Sequence, residues 1–538
     1  MDWIKRKPTK RILKADSLMK KIAKIRGIEN IEEFLNPPIN VLHDPYLLNN
    51  IREVAERIKE AVLKGERIAV SADVDADGVT STAILVDYLS QFTDNVYYVY
   101  HQRAEGHGVE YQVDKIDDET KLVVVLDSST NSVKGCKQLV ERGMDVLVID
   151  HHDFEVENPY ATIVNPQMDD YPNKAISGAG VTYKVVQVLD DSFGTGMVED
   201  YLDLVAVGIV ADVMNLSVME NRRLIMDGIT NIQNEGLKAI LDNANVKFDE
   251  VSSTTIGFSI APLINGVARM DKIELAIELL LERDPLECKK IVKQMVKLND
   301  DRKKKEIELM KMYEEQVNPN DKIIIAIGND PSKSFNGLVA NKIAQKYKRP
   351  AIVARDFGDK IAGSFRSMGD FNMNSYLKRT GLVKKAVGHP FAGGVEVVAE
   401  NVEELREYFN EHINMDIFLD DIEYDLEIKG RDVTMGFVEE LQEINRIAGN
   451  GFEKVKVRVT DLMVDERKVM GKNKDTVKLV TNCLDAIRFR ENSEYANDVD
   501  TFDNIEIVGE LNINEFFHWG YRKNIVTIQV ILDDYRHM

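Results

Sequence analysis

The segment ERIAVSADVDADG, residues 66–78, carries an apolar run followed by aspartates at every second position. The run predicts a buried strand that continues through Asp73, Asp75 and Asp77 into a turn at Asp77-Gly78, beyond which VTSTAILVDYL predicts a helix. Because side chains alternate between the two faces of an extended strand, all three carboxylates are expected on one face. Carboxylates held that close repel one another, and divalent cations relieve the repulsion. The segment therefore predicts a metal site, which suggests hydrolytic chemistry.

Three further apolar runs predict strands over residues 96–100, 122–126 and 145–149, with helical spacing before and between them. Strands that alternate with helices predict a parallel sheet covered on both faces. Ligands of such sheets bind beyond the carboxyl ends of the strands. The polar residues at those ends are the three aspartates above, Asp127, Asp150, His151 and His152. Their convergence on one edge indicates a single site.

The rest of the chain divides into three predicted parts. A charged amphipathic helix without internal Pro or Gly is predicted from about residue 285 to 316, as a spacer between domains. An α/β region follows, in which KIIIAIG (322–328) and AIVARD (351–356) predict strands. Beyond about residue 420, short alternating strands separated by polar turns predict a small β-barrel.

Length and composition limit the class of protein. A chain of 538 residues with 44% hydrophobic residues is expected to form several domains. The sequence contains no uncharged apolar run of ~18 residues, so no membrane span is predicted, and the basic N-terminus lacks the apolar core of a secretory signal. Cys136, Cys288 and Cys483 form no disulfide framework, which predicts a cytoplasmic protein. The net charge of −22 weighs against strong nonspecific DNA binding, since phosphate contacts need local Lys and Arg.

Several longer motifs occur in order along the chain. They are FLNPPINVLHDPYLL (34–48), the aspartate row, Asp150-His151-His152, AVGIVAD (206–212), IGFSIAPLINGVAR (256–269), GSFRS (363–367), GHPFAGG (388–394) and the C-terminal NEFFHWGYRKNIVTIQVILDDYR (514–536). Together these motifs resemble the DHH phosphoesterase superfamily, and within it the RecJ-type single-stranded-DNA exonucleases. The resemblance covers nearly the whole chain.

The resemblance implies an α/β fold in which a parallel-sheet DHH domain is joined by a long helix to a smaller α/β DHHA1 domain, followed by a C-terminal OB-like β-barrel. The implied parts are an N-terminal extension (1–47), the DHH catalytic domain (48–284), a linker helix (285–318), the DHHA1 domain (319–400), and a connector with an OB-like nucleic-acid-binding domain (401–538).

The implied function is metal-dependent 5′-to-3′ hydrolysis of single-stranded DNA to mononucleotides, in DNA repair and recombination. The implied cofactors are two divalent ions, Mn²⁺ with Mg²⁺ as the alternative. The protein is expected to be a monomer, with a single-strand-binding protein or a helicase as candidate partners. Two alternatives stay open: a short-oligonucleotide or cyclic-dinucleotide phosphodiesterase of the same superfamily, and a non-catalytic DNA-binding scaffold.

The same resemblance assigns roles to the polar residues at the strand ends. The implied metal ligands are Asp75, Asp77, Asp127, His151 and Asp212. Asp73 and Asp150 are expected to orient ligands or a water molecule, and His152 to contact the scissile phosphate or orient a ligand. A single Asp at a strand end is equally typical of a helix N-cap, so the assignment depends on the whole set.

Substrate-binding residues are assigned by the later motifs. They are Arg103, Arg269, Ser364, Arg366, His389 and Gly393, with Gly394 beside them. Three positions depart from the family pattern: His107 stands in place of Tyr, Leu263 in place of Arg, and Val387 in place of Gly. Phe516, Phe517, Trp519 and Tyr521 beside Arg522 and Lys523 are typical of strand-stacking surfaces, and equally of packing inside a small barrel.

Overall fold

A computed structural model describes the protein over residues 2–103, 105–329, 333–418, 421–471, 474–518 and 522–538, without the side chains of residues 333, 517 and 518. Within these ranges, each helix is too short or too polar to cross a bilayer. Trp519, Tyr521 and the side chain of Phe517, considered above for DNA stacking, lie outside the described residues.

The N-terminal residues pack against the C-terminal part of the chain. Their elements are β1 (Trp3–Lys5), α1 (Leu18–Arg26) and α2 (Ile31–Leu35). Strand β1 pairs in parallel with residues 422–424. Apolar side chains of α1 and α2, among them Ile22 and Phe34, enter the core of the C-terminal barrel. The predicted N-terminal extension is therefore built into the barrel module as far as Leu35, whereas Leu42 and Tyr46 pack against the first domain.

The first large sheet has five parallel strands in the order β3-β2-β4-β5-β6. In chain order the elements are α3 (Ile51–Lys64), β2 (Ile68–Ala72), α4 (Ala76–Ser90), β3 (Val96–Tyr100), β4 (Leu122–Leu126), α5 (Val133–Glu141), β5 (Asp145–Ile149) and β6 (Thr162–Val164). One face packs on α3 and α4, and the other on α5, so β2 and β4 are buried throughout. The predicted parallel sheet is confirmed.

A helical layer follows this sheet. Its helices are α6 (Gly178–Phe193), α7 (Leu202–Ala211), α8 (Met219–Thr230), α9 (Glu235–Ala244), α10 (Ser253–Thr255), α11 (Ala261–Ala268) and α12 (Glu274–Leu281). Helices α6 and α7 join α4 in one continuous apolar core, which carries the N-terminus of α6 and the C-terminus of α7 to the carboxyl edge of the sheet. A π-helical turn, Ile256–Ile260, connects α10 to α11.

The predicted long helix, α13 (Pro285–Glu314), leads into a second domain with a mixed sheet. The elements there are β7 (Ile324–Gly328), α14 (Lys333–Tyr347), β8 (Ala351–Asp356), β9 (Lys360–Arg366), α15 (Met373–Thr380), β10 (Val383–Gly388), β11 (Ala392–Val398) and α16 (Val402–His412). The strand order is β10-β11-β9-β8-β7, and the β7–β8 pair is the parallel one. Helices α13 and α14 cover one face, and α15 and α16 the other.

The C-terminal region forms the predicted barrel. Its elements are β12 (Ile422–Tyr424), β13 (Leu426–Lys429), α17 (Met435–Ile444), β14 (Val457–Met470), β15 (Thr476–Thr481), β16 (Asp485–Phe489), β17 (Asn504–His518) and β18 (Lys523–His537). Five strands close in the order β14-β15-β16-β18-β17, because β17 also pairs with β14. The fold class predicted from the sequence is confirmed, while the residue limits of each domain stay predictions.

Candidate metal centre and anion pocket

The aspartate row does not lie on one extended strand, so the strand predicted through Asp77 is wrong. Strand β2 ends at Ala72, and α4 begins at Ala76. The helix begins there because the Asp75 side chain caps it: Oδ1 accepts hydrogen bonds from the N–H groups of Asp77 and Gly78, both at 3.1 Å. The three carboxylates converge because the chain turns from strand to helix between them.

The N-terminus of α6 holds Asp77, which is buried. Its two carboxylate oxygens accept hydrogen bonds from the N–H groups of Gly178 at 2.7 Å and Ala179 at 2.9 Å. Helix N-termini favour negative charge, so this contact stabilises the carboxylate. The close approach of helices α6 and α7 to these carboxylates needs glycine. A Cβ atom on Gly178 of α6 would lie 2.4 Å from Asp127 Oδ1, and one on Gly208 of α7 would lie 2.3 Å from Asp77 Oδ1.

His151 lies at the centre of one group of potential ligands. Its Nε2 atom is 3.1 Å from Asp127 Oδ1, 3.4 Å from Asp212 Oδ2 and 3.8 Å from Asp77 Oδ2. The Nε2 atom of His151 and the Oδ1 atom of Asp127 are both buried without a hydrogen-bond partner. Buried polar atoms are normally paired, so these two fit a bound cation.

The electrostatics of this group favour a cation as well. Burial, followed by the charge of Asp77, raises the pKa of Asp127 well above its usual range. The same two causes raise the pKa of the Asp212 carboxyl to about 8. Burial lowers the pKa of His151, which keeps the imidazole neutral and able to bind a metal. Because the carboxylates repel one another in a buried site, a divalent ion would stabilise their charged forms.

A second group of potential ligands adjoins the first. Asp73, Asp75 and Asp127 each contribute one oxygen, and these oxygens lie within 4.8 Å of one another. The Oδ1 atom of Asp73 is buried without a hydrogen-bond partner. Burial and the charge of Asp73 raise the pKa of Asp75. Since Asp127 belongs to both groups, the geometry fits two ions with Asp127 between them, and it favours Asp73 as a direct ligand.

Asp150 holds the loop that carries both histidines. Its Oδ1 atom accepts hydrogen bonds from the His151 N–H at 2.7 Å and pairs with His152 Nδ1 at 2.8 Å, while Oδ2 accepts from the Thr130 hydroxyl at 2.7 Å. Burial opposes the charge of Asp150, but the hydrogen bond and charge of His152 prevail and hold its pKa below the usual range. For His152, burial is likewise outweighed by Asp150, which raises the pKa to about 9.

Two further histidines flank Asp73, and the sequence prediction included neither as a site residue. His101 is fully buried, and its Nε2 atom is 3.5 Å from Asp73 Oδ1. His107 is half-exposed, and its Nδ1 atom is 3.2 Å from Asp73 Oδ2. The signal for both was their place in HQRAEGHG (101–108), immediately after β3. Carboxyl ends of neighbouring parallel strands meet at one edge, so this segment reaches the site.

Three arginines, Arg103, Arg269 and Arg366, lie close enough to affect one another's charge. Their guanidinium groups donate to main-chain carbonyls of Val74, Ser334 and Phe365, at 2.9, 2.6 and 2.7 Å. Within the described residues, none of the three has a carboxylate within ion-pair distance. Burial, and then the neighbouring arginines, lower the pKa of Arg269 to about 9. Clustered guanidinium groups without carboxylates indicate a site for an anion such as phosphate.

The arginine cluster adjoins a cavity of about 320 Å³ between the two α/β domains, lined by Arg103, Ser364 and Gly394. Gly393 faces away from the cavity, because a Cβ atom there would point to the opposite face of β11 and lie 2.8 Å from the Phe365 ring. The geometry therefore favours Gly394 over Gly393 as a substrate contact. His389 is exposed on the β10–β11 loop, which Asn374 holds by donating to the carbonyl of Gly388 at 2.5 Å.

Two departures from the family pattern differ in their consequences. Leu263 is buried in the core of the first domain, so it does not contribute to a strand-binding surface. Val387 is exposed on β10, where it pairs with Gly394 at the cavity. The roles assigned to individual site residues stay predictions.

Three family models match the chain: the DHH family N-terminal domain over residues 67–209, the DHHA1 domain over 320–415 and the RecJ OB domain over 424–533. A single-stranded-DNA-specific exonuclease RecJ of Bacillus subtilis is 30% identical over 93% of this chain. This chain spans 65% of that relative's length. A putative SPbeta prophage-derived single-strand DNA-specific exonuclease of the same bacterium is 28% identical over 92% of both chains.

Among solved structures, RecJ from Thermus thermophilus in complex with Mn²⁺ has a TM-score of 0.77 and 24% sequence identity. The match covers 96% of this chain and 75% of that one. At this identity the likeness concerns the fold, which includes both α/β domains, the long helix and the barrel.

Proposed function

Because the chain belongs to the DHH family and carries a DHHA1 domain and a RecJ OB domain, we propose that it is a metal-dependent exonuclease that degrades single-stranded DNA from the 5′ end. The observation that carries the proposal is the closeness of two features at one cleft. The first is the set of buried, unpartnered atoms of Asp73, Asp127 and His151. The second is the cluster of three arginines, which have no carboxylate partner among the described residues; one of them, Arg103, donates to the Val74 carbonyl between Asp73 and Asp75.

The donor set fits Mn²⁺, with Mg²⁺ as the alternative, because carboxylate oxygens with one imidazole suit hard and borderline divalent ions. Asp77, His151 and Asp212 would hold one ion, Asp73 and Asp75 the other, and Asp127 both. When bound, two such ions activate a water molecule and neutralise the charge that develops on the phosphate.

The chain's own residues would position the strand for hydrolysis. Arg103, Arg269 and Arg366 would bind a phosphate at the 5′ end by charge-assisted hydrogen bonds. Asp150 fixes His152 through Nδ1, which directs Nε2 away from Asp150 and makes it available to a phosphate oxygen. The single-strand-binding protein, the helicase, the monomeric state and the cytoplasmic location stay predictions.

The proposal is tested by digesting 5′- and 3′-labelled single strands with Mn²⁺ and Mg²⁺ in parallel. We expect mononucleotides to be released from the 5′ end. His151→Gln should lower the rate by at least ~100-fold, since even residues outside the direct ligands change metal affinity or activity by 10- to 100-fold. His412→Gln, at an exposed position on α16, is the matched control and should keep full activity.

The two alternative functions give different results in the same assay. A dinucleotide hydrolysed as fast as a long strand would favour a short-oligonucleotide phosphodiesterase. Tight strand binding without hydrolysis in either metal would favour a DNA-binding scaffold and would refute the proposed activity.

A further inference from the structure

A strongly basic segment covers one flank of an acidic barrel. Residues 5–26, called here the N-terminal basic segment, contain ten Lys and Arg and a single acidic residue, Asp16. Residues 421–538, which include the barrel, contain 24 acidic and 16 basic residues. A barrel with an excess of acid repels phosphate, so a nucleic acid that follows it needs cations from elsewhere.

Three of the ten cations form ion pairs, two with the surroundings of the N-terminal basic segment and one within it. Arg6 pairs with Glu423 and Glu453, both at 2.8 Å. Arg26 pairs with the buried Asp425 at 2.6 Å, through two nitrogens. The third, Lys24, pairs with Asp16 at 2.7 Å, inside the segment itself.

The other seven cations are not used by the fold. They are Lys5, Lys7, Lys10, Arg11, Lys14, Lys20 and Lys21, and all but the half-buried Lys21 are exposed. In the described part of the chain, none of these seven side chains forms an ion pair or a hydrogen bond. Acidic residues are abundant on the neighbouring barrel, yet these seven cations pair with none of them. This distinguishes the N-terminal basic segment from an ordinary surface covered by salt bridges.

A groove between the N-terminal basic segment and the barrel adds an apolar component. Its volume is about 390 Å³, Lys5 and Lys21 lie on its wall, and Pro8, Ile12 and Phe437 are among its apolar lining residues. Single-stranded nucleic acids bind where cations follow the backbone and apolar or aromatic groups receive the bases. An acidic peptide would use the cations but gain less from an apolar groove.

We propose that the N-terminal basic segment, with the groove beneath it, binds single-stranded DNA outside the catalytic cleft. The proposal rests on the function proposed above, because it concerns the strand that is being degraded. It explains how a chain with a net charge of −22 holds a long polyanion: the cations of residues 5–26 add to the three arginines of the anion pocket.

The test compares two variants that lose the same charge. Lys7→Gln/Lys10→Gln/Arg11→Gln/Lys14→Gln removes four unpaired cations from the segment. Lys289→Gln/Lys290→Gln/Lys303→Gln/Lys304→Gln removes four lysines of α13 that already pair with acidic residues. Binding of a labelled oligothymidylate of about 40 nucleotides, several times the site of one OB fold, is measured by fluorescence anisotropy in EDTA over a range of salt concentrations.

We expect the segment variant to bind the oligothymidylate at least ~10-fold more weakly at 0.1 M salt. The slope of the logarithm of its binding constant against the logarithm of the salt concentration should become smaller in magnitude by about 2 to 3, because each phosphate contact with a single strand contributes about 0.7 to that slope. The α13 variant should bind like the wild type. Equal affinities and slopes for the two variants would overturn the proposal. So would a segment variant that retains oligothymidylate binding but loses binding of poly-glutamate, because the surface would then serve an acidic protein.

Two further measurements separate possible failures. If the segment variant lacks the thermal transition of the wild type, it is unfolded, and crosslinking of the wild-type protein to an iodouridine-containing strand replaces the comparison of variants. Absence of crosslinks within residues 1–26 overturns the proposal. Hydrolysis of a trinucleotide with Mn²⁺ tests the proposed activity alone. A wild type that binds the long strand through the segment but hydrolyses neither substrate would refute the activity and leave the surface standing.

Discussion

Gly178→Ala is expected to disable the metal centre without changing its ligands. The new Cβ atom would lie 2.4 Å from Asp127 Oδ1 and 2.7 Å from its Cγ atom. Ordinary contact begins near 3.4 Å, so either the Asp127 carboxylate or the N-terminus of α6 must move by about 1 Å. Movement of α6 would also disturb Asp77, which accepts two hydrogen bonds from it.

A displacement of about 1 Å greatly exceeds the ~0.2 Å tolerance of metal–ligand distances. We therefore expect the dissociation constant for Mn²⁺ to rise by at least ~10- to 100-fold. The stability cost should stay near 1–3 kcal/mol, as for other overpacked sites. Electron paramagnetic resonance of free Mn²⁺ measures the affinity, and thermal melting in EDTA checks that the variant is folded.

Gly436→Ala is the matched control, because a Cβ atom there meets nothing within 4 Å. It should bind Mn²⁺ like the wild type. Gly208→Ala tests the same reasoning through another carboxylate, since its Cβ atom would lie 2.3 Å from Asp77 Oδ1. A folded Gly178→Ala variant with wild-type Mn²⁺ affinity would refute the placement of Asp127 as a ligand shared by two ions.

Three other predictions concern the anion pocket, the domain junction and a buried acid. Arg366→Met should raise KM for a 5′-phosphorylated strand by about 10- to 100-fold, because the variant loses a charge-assisted hydrogen bond to the phosphate. KM for a 5′-hydroxyl strand should change less, and equal changes for the two strands would exclude a phosphate contact. Arg222→Met should lower the free energy of unfolding by about 3 kcal/mol in urea titrations, because buried carbonyls of Phe34, Leu216 and Ile447 lose their donor; an unchanged midpoint would contradict this. Burial raises the pKa of Asp203 to about 6 from an ordinary value of 3.8. The folded state therefore binds this proton more tightly than the unfolded state, and the group lowers the free energy of unfolding by about 3 kcal/mol as pH rises from about 4 to 6. The difference in free energy of unfolding between Asp203→Asn and the wild type should change over that pH range and be constant above it.

The sequence predicted that the candidate metal ligands meet at one edge of the sheet, and the structure brings them together there, but for a partly different reason. Apolar runs identified the strands, and parallel strands bring their carboxyl ends to one edge, so Asp127 and His151 were expected beside the aspartate row. The alternation argument failed because Asp75 forms N-cap hydrogen bonds that start a helix at Ala76. Local capping competes with strand extension, and a pattern of apolar residues does not reveal which prevails.

Contacts between distant segments were beyond sequence reasoning. Nothing in the spacing of Asp77 and Gly178 indicates that a helix N-terminus donates to that carboxylate. The same holds for the packing of α1 and α2 in the barrel core, because an amphipathic helix shows which face is buried and not which partner buries it. The distinction between Gly393 and Gly394 depends on which face of β11 meets Phe365, and the spacing of residues in the sequence does not reveal that.

The barrel is attached to the metal centre at the residues that follow Asp212. Val213 adopts a left-handed backbone conformation, with φ of 56°, which is unusual for a β-branched residue. Its carbonyl accepts a hydrogen bond from the Asn450 side chain at 2.9 Å, and the Leu216 N–H donates to the Asn450 carbonyl at 2.7 Å. A strained residue persists when its surroundings hold it, and here the barrel module supplies those contacts. The position of a candidate metal ligand therefore depends on a domain whose described residues include none of the candidate ligands. A strand bound by the barrel and the N-terminal basic segment would act on the same junction that orients Asp212.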